Sequence, residues 1–216
     1  MPRIALIHAT ALAIDPILEA FARLWPQARL TNLLEDSLSA DLAATGKLDQ
    51  PMMQRFDTLT RYVASSGADA VLFTCSAFGE AIEAAARNVA IPVLKPNEAM
   101  LEEALAAGRQ LGIVATFQPT IASMQEELQS LATARGHPAQ IRTLHVPGAM
   151  DALAAGKGDD HDRMIAASLS SLADCDAILL AQFSMARAAK RARLALDRPV
   201  LTSPDSAVRK LKELLG

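Results

Sequence analysis

The stretch Asp69-Ala70-Val71-Leu72-Phe73-Thr74-Cys75-Ser76-Ala77-Phe78-Gly79-Glu80 decides how the rest of the chain is read. Its apolar run, 70–73, is short and bounded, as a parallel strand covered on both faces should be. Residues 79–87 have the composition of the helix that follows. Thr74, Cys75 and Ser76 therefore fall at the carboxyl end of a strand. In an open α/β sheet that edge binds ligands, and the next helix brings free N–H groups and a positive dipole end. A thiol there can have a depressed pKa and lie beside a bound carboxylate. Packing is the competing explanation, because cysteine is among the most buried residue types. The polar neighbours Thr74 and Ser76 favour chemistry, since a core cysteine does not need them.

Working outward, strands are expected over 4–7, 29–34, 91–94, 111–115, 141–146, 177–181 and 199–201. Helices are expected from Asp15-Pro16-Ile17 to near Pro26, and over 54–64, 79–87, 97–105, 120–133, 149–155, 159–172, 186–196 and 206–215. Residues 35–41 form a polar segment able to line a cleft, and 46–51 form a loop. Strands alternating with helices of these lengths imply parallel sheets covered by helices, with right-handed crossovers.

The two halves echo each other. Residues 69–75 align with 176–182, an offset of 107, and Pro92-Val93-Leu94 aligns with Pro199-Val200-Leu201 at the same offset. Residues 5–8 match 113–116 at an offset of 108. Ordered matches at nearly constant spacing point to a duplicated α/β unit. The expected organisation is two similar three-layer lobes related by pseudo-two-fold symmetry. The first covers 1–96, completed by the helix in 202–216, and the second covers 97–201. Two such lobes facing each other would place His8, Thr74, Cys75 and Ser76 on one wall of a cleft. Thr116, Gln118, Gln182, Phe183 and Ser184 would lie on the other wall.

Composition narrows the partners. The formal charge is only −3 over 216 residues, so neither nucleic acid nor an anionic membrane is indicated. Cys75 and Cys175 form neither a secreted disulfide pattern nor a metal cluster. No run approaches about 20 apolar residues, and the opening Met1-Pro2-Arg3-Ile4 leads straight into a strand. The expectation is a cytoplasmic protein with a small-molecule ligand. The Ala-rich helical faces leave homo-oligomerisation open.

Other candidates carry less weight. His8 ends a strand and fits a structural role as well as a catalytic one. Asp36 lies in a segment that is ordinarily solvated, and Lys95 beside Pro96 reads as surface. His137, His145 and His161 match no metal spacing. Asp159-Asp160-His161-Asp162 reads as the acidic start of a helix, and the four cations of 186–193 read as the exposed face of another. Glycines fall singly, with no dinucleotide or phosphate-binding loop.

Four segments together resemble the aspartate/glutamate/hydantoin racemase superfamily: Thr74-Cys75-Ser76-Ala77, Ile91-Pro92-Val93-Leu94 leading to Glu98-Ala99-Met100, Leu111-Gly112-Ile113-Val114-Ala115-Thr116, and residues 178–185. The resemblance covers nearly the whole chain and implies two like lobes with an active site between them. It also implies two opposed cysteines that move a proton next to a carboxylate or amide, without cofactor or metal. Cys75 matches the first cysteine; Gln182 occupies the place of the second and cannot shuttle a proton as a thiol does. Cys175 does not replace it, lying seven residues before Gln182, some 20 Å of extended chain.

By the same resemblance, groups around Thr74, Ser76, Thr116, Thr120, Phe183 and Ser184 would bind carboxylate oxygens and stabilise an enediolate. The superfamily includes maleate isomerases and arylmalonate decarboxylases, the latter working with one cysteine on the Gln182 side. The expected function is a cofactor-independent racemase or isomerase acting next to the carboxylate of a small carboxylic or amino acid through Cys75. The alternatives are decarboxylation of a malonate-like acid with Cys75 as proton donor, or non-catalytic binding of a small acid.

Overall fold

A computed structural model describes residues 1–216 as an α/β protein containing two four-stranded parallel sheets. The chain divides into a first unit, Met1–Ala99 with Ala207–Gly216, and a second, Met100–Ser206. The first sheet contains β1 (Arg3–His8), β2 (Arg29–Leu34), β3 (Ala70–Phe73) and β4 (Val93–Leu94), in the order β2-β1-β3-β4. The second contains β5 (Gln110–Ala115), β6 (Gln140–His145), β7 (Ala177–Leu180) and β8 (Val200–Thr202), in the order β6-β5-β7-β8. The two orders are the same once the second set is renumbered, so the duplication holds at the level of topology.

Register sharpens the repeat. Ile4 pairs with Ala70 and Leu111 with Ala177, so both central strands repeat at an offset of 107. The 108 expected for the first strand is one residue too large. His8 consequently corresponds to Ala115 rather than to Thr116. Short apolar strands look alike after a one-residue slip, whereas the ladder registers them without ambiguity.

A carboxylate at each sheet start is duplicated too. Asp69 Oδ2 accepts the Arg3 backbone N–H at 2.7 Å, and Asp176 Oδ2 accepts those of Arg109 and Gln110 at 2.7 and 2.8 Å. Asp176 packs so closely on Gly108 that a Cβ there would lie 2.2 Å from its oxygen, which explains the glycine. These backbone N–H bonds hold the Asp176 carboxyl below the usual carboxylate range.

In the first unit Ala5, Ile7, Val71 and Phe73 supply one sheet face. They belong to a core containing Phe56 of α3 (Gln50–Ser65), Ile82 of α4 (Gly79–Ala86), and Phe78. Phe56 centres lie 5.3 Å from Phe73 and 4.9 Å from Phe78, a cluster that braces the chain around Cys75. In the second unit Val114, Ile178 and Leu180 pack in one cluster, while Leu111, Ile113, Ala115, Ala177 and Leu179 pack in another. This alternation is the period-two pattern of a sheet covered on both sides.

The remaining helices are α1 (Ile14–Leu24), α2 (Ser37–Thr45), α5 (Glu98–Ala107), α6 (Gln118–Ala134), α7 (Ala149–Ala154), α8 (Gly158–Ser168), α9 (Ala189–Ala195) and α10 (Ser203–Leu215). α2 corrects the reading of 35–41 as a polar segment. Leu38 anchors it, the Glu35 carboxylate accepts the Ser37 N–H, and Gly46 ends it at φ 67°. The 159–172 region gives α8 followed by a 3₁₀ turn, Leu169–Leu172; the 186–196 region is 3₁₀ over Phe183–Ala188 before α9 begins. No helix is long and apolar enough to cross a membrane.

Candidate active site

At the carboxyl edge of the first sheet, β1 delivers His8 and β3 delivers Thr74 and Cys75. The Thr74 backbone N–H extends the ladder to Ile7 O at 3.1 Å, which fixes the next residue, Cys75, just beyond the strand. His8 is fully buried; its Nδ1 lies 2.9 Å from Thr74 Oγ1 and its Nε2 lies 3.0 Å from Asn32 Oδ1. With the Asn32 carbonyl oxygen as acceptor, Nε2 carries the proton and Nδ1 accepts from the threonine hydroxyl. Burial lowers the His8 pKa, and the Asn32 hydrogen bond offsets this only in part, so the imidazole is neutral at neutral pH. Both ring nitrogens are engaged. His8 thus fixes Thr74, the residue before Cys75, and is itself held by Asn32 of β2, a partner that strand-end sequence does not reveal.

Cys75 is partly buried and extended (φ −125°, ψ 122°) at the start of the short 3₁₀ turn Ser76–Phe78. Burial pushes its thiol pKa up, outweighing the opposing hydrogen bond from the Ala77 N–H. The expected depression of its pKa is therefore corrected. The α-helix starts only at Gly79, so Cys75 lies before an intervening turn, and the influence of a helix dipole fades within its first turn. Burial thus favours the protonated form of this thiol. Ser76 is exposed at the same edge.

The second sheet carries a different constellation. Gln182 Oε1 accepts the Thr116 backbone N–H at 2.8 Å and the Thr116 hydroxyl at 2.9 Å. This orients the Gln182 amide with its carbonyl end fixed and its NH₂ end a donor. Phe183 is buried and Ser184 partly buried in the 3₁₀ segment that follows. Gln118 is exposed at the first position of α6, and Thr120 is partly buried there, its N–H bonded to Phe117 O at 3.1 Å. Cys175 is fully buried in the apolar cluster of its own unit, the place of a packing residue.

The two edges use related links at different positions. His8–Thr74 and Thr116–Gln182 each join residues 66 apart. At the 107-residue offset the first pair corresponds to Ala115 and Ala181, and the second to Ala9 and Cys75. The units share a backbone but carry different polar machinery.

Sequence reasoning missed a second polar cluster. His161 and Asp162, read only as part of the acidic start of a helix, are buried. His161 Nδ1 lies 2.7 Å from Asp162 Oδ1, and Arg187 Nε reaches both Asp162 oxygens at 3.0 and 3.1 Å. Arg193, from the same basic run, donates to Val200 O at 2.9 Å and to Asp205 at 3.2 Å. The run is therefore more than a solvated face. No group of three or more His, Cys, Asp or Glu side chains could hold a metal ion. A recess of about 470 Å³ beside α7 and α8 is lined by Asp151, Lys157, Asp160, Arg163 and Met164, among others. It includes none of the sequence-predicted site residues.

Known structures share this architecture. An aspartate racemase homologue from Pyrococcus horikoshii matches at 16% identity and TM-score 0.72, over 99% of each chain. Allantoin racemase from Klebsiella pneumoniae matches at 20% identity and TM-score 0.69, over 100% of this chain and 88% of the other. An unliganded arylmalonate decarboxylase matches at 17% identity and TM-score 0.66, over 100% and 94%. These identities establish the fold alone. No curated sequence matches as a relative. The Asp/Glu/hydantoin racemase profile matches residues 9–211, and the chain belongs to that family.

Proposed function

We propose that the protein is a cofactor-independent enzyme that moves a proton at the carbon next to the carboxylate of a small acid, with Cys75 as its acid/base group. The observation that carries this reading is the partly buried Cys75 at a carboxyl strand end, next in the chain to Thr74, which His8 holds. Gln182 occupies the corresponding place in the second unit and cannot act as an acid or base at neutral pH. One-base chemistry follows: the Cys75 thiolate removes the proton next to the carboxylate, leaving a carbanion or enediolate, and the thiol so formed returns a proton to the same carbon. Ser76 is the proposed carboxylate donor in the first unit; Thr116, Thr120, Ser184 and the Gln182 NH₂ group are the candidate donors that the second unit carries.

Decarboxylation of a malonate-like acid is the second reading. The protonated thiol favours it, because loss of CO₂ generates the carbanion without a base and leaves only the proton to be delivered. Both readings are tested by presenting the purified protein with aspartate, glutamate, hydantoins, maleate and arylmalonates, then repeating the assay with Cys75→Ser. Turnover that disappears in the variant supports the assigned role. Undiminished turnover removes Cys75 from the mechanism, and turnover of none of these acids by the wild type counts against the enzyme reading.

A further inference from the structure

The turn that follows Gln182 is built from a conformation that does not sustain itself. Phe183–Ala188 runs six residues as 3₁₀ helix, beyond the three or four that this poorer hydrogen-bond geometry ordinarily supports. Its own bonds include Met185 N–H to Gln182 O at 3.0 Å and Ala189 N–H to Ala186 O. Near its end, Arg187 reaches back to α8 and places Nε between the two oxygens of buried Asp162. The guanidinium lies against Gly158, where a Cβ would come within 2.2 Å of Nη2, so a larger residue there would displace it. Asp162 is in turn held by His161 Nδ1. His161 is fully buried, and its Nε2 has no hydrogen-bond partner.

An unpaired buried nitrogen is unfavourable, and phenylalanine would fill the same space without it. For packing alone, His161 is a poor choice. Its one polar connection is to Asp162, which suits a residue that orients a carboxylate.

We propose that His161, Asp162 and Arg187 are positioning residues for the Gln182 turn. The imidazole orients the Asp162 carboxylate, the carboxylate orients the Arg187 guanidinium, and the guanidinium holds the 3₁₀ segment whose first residues carry the proposed recognition groups. This role in ordering the turn, added to the burial of Met185 and Ala188 in the core, does not depend on the proposed function. Its consequence for ligand binding rests on the proposed function, so the decisive measurement needs no substrate.

That measurement is amide hydrogen exchange at Met185 and Ala189, alongside thermal unfolding, in the full-length wild type and in H161F, D162N and R187K. Arg187→Lys changes a side chain that is 44% exposed, keeps the charge and loses the Nε contact, so it remains informative if a core variant fails to fold. Exchange at both amides is expected to rise at least tenfold in R187K and D162N, and at least threefold in H161F, without a fall in the H161F melting temperature. The D162N/R187K double variant should add little to either single change, as members of one network do. Unchanged exchange in R187K and D162N, or a rise that only tracks lost global stability, overturns the proposal. Malonate titration of the same proteins addresses the other reading separately. A wild type that does not bind malonate weakens the carboxylate assignment and leaves the exchange result standing.

Discussion

Thr116 fixes Gln182 by giving two hydrogen bonds to one atom, Oε1, from its backbone N–H at 2.8 Å and its hydroxyl at 2.9 Å. The amide nitrogen is thereby turned into the donor that Gln182 offers at the edge of the second sheet. Thr116→Val removes one of the two bonds and keeps the shape of the side chain. The expected loss of stability is about 1 kcal/mol, typical of a single net hydrogen bond. Affinity for a small carboxylate should fall roughly threefold to tenfold, corresponding to about 0.7 to 1.4 kcal/mol. Calorimetric titration with malonate, together with urea unfolding, checks both.

Thr74 stands in a comparable relation to His8, with the difference that both partners are buried. Thr74→Val leaves Nδ1 of a buried imidazole without its donor and should cost about 1 to 3 kcal/mol. Thr74→Ser retains the hydroxyl and should recover most of the polar part of that loss. Equal destabilisation by both replacements in chemical denaturation would show that the methyl group, rather than the hydrogen bond, matters at this position.

His8 also predicts a pH dependence. Burial lowers its folded-state pKa from an ordinary value of 6.5, so the unfolded chain takes up a proton first as the solution is acidified. The His8 contribution is fully present above about 6.5 and is lost as pH falls through the lowered folded-state pKa. His8→Gln should flatten that part of the stability curve. Denaturant melts of both proteins between neutral pH and the onset of carboxylate titration test this. Identical slopes would show that His8 does not titrate differently on folding.

Much of the fold was legible because apolar runs and polar strand ends recur through the chain. Residues 69–75 and 176–182 were correctly paired, and the two sheets repeat one strand order. Register was less legible, since Ala5 to His8 can be slid by one residue against the equally apolar 113–116 without visible penalty. The helix α2 was hidden by the acidic and serine residues at its start, although Leu38 and the alanines beyond it form a helical segment. His161, Asp162 and Arg187 escaped notice for a deeper reason. The run 159–162 reads as an acidic helix start and the cations of 186–193 as an exposed face, whereas the burial of His161 and Asp162 depends on α8 meeting Arg187, 25 residues beyond Asp162.

The reactivity of Cys75 is likewise poorly legible from its local sequence. A strand end before a helix suggests a stabilised thiolate, yet burial is the larger influence on this sulfur. The rate of iodoacetamide alkylation, followed against pH in a Cys175→Ala background, should have a midpoint above the unperturbed thiol value of about 8.5. A midpoint below that value would mean that the Ala77 N–H and the nearby turn outweigh burial, and would favour a thiolate base over a thiol acid.

Proton transfer through Cys75 is tested most directly by NMR detection of deuterium entering the carbon next to the carboxylate when a turned-over acid is incubated with the protein in D₂O. The wild type is predicted to deliver one solvent deuteron to that carbon, and Cys75→Ser to do so at least 100-fold more slowly, within the range for loss of a positioned acid/base group of about 10² to 10⁴. Deuterium incorporation at the wild-type rate by Cys75→Ser would contradict the account.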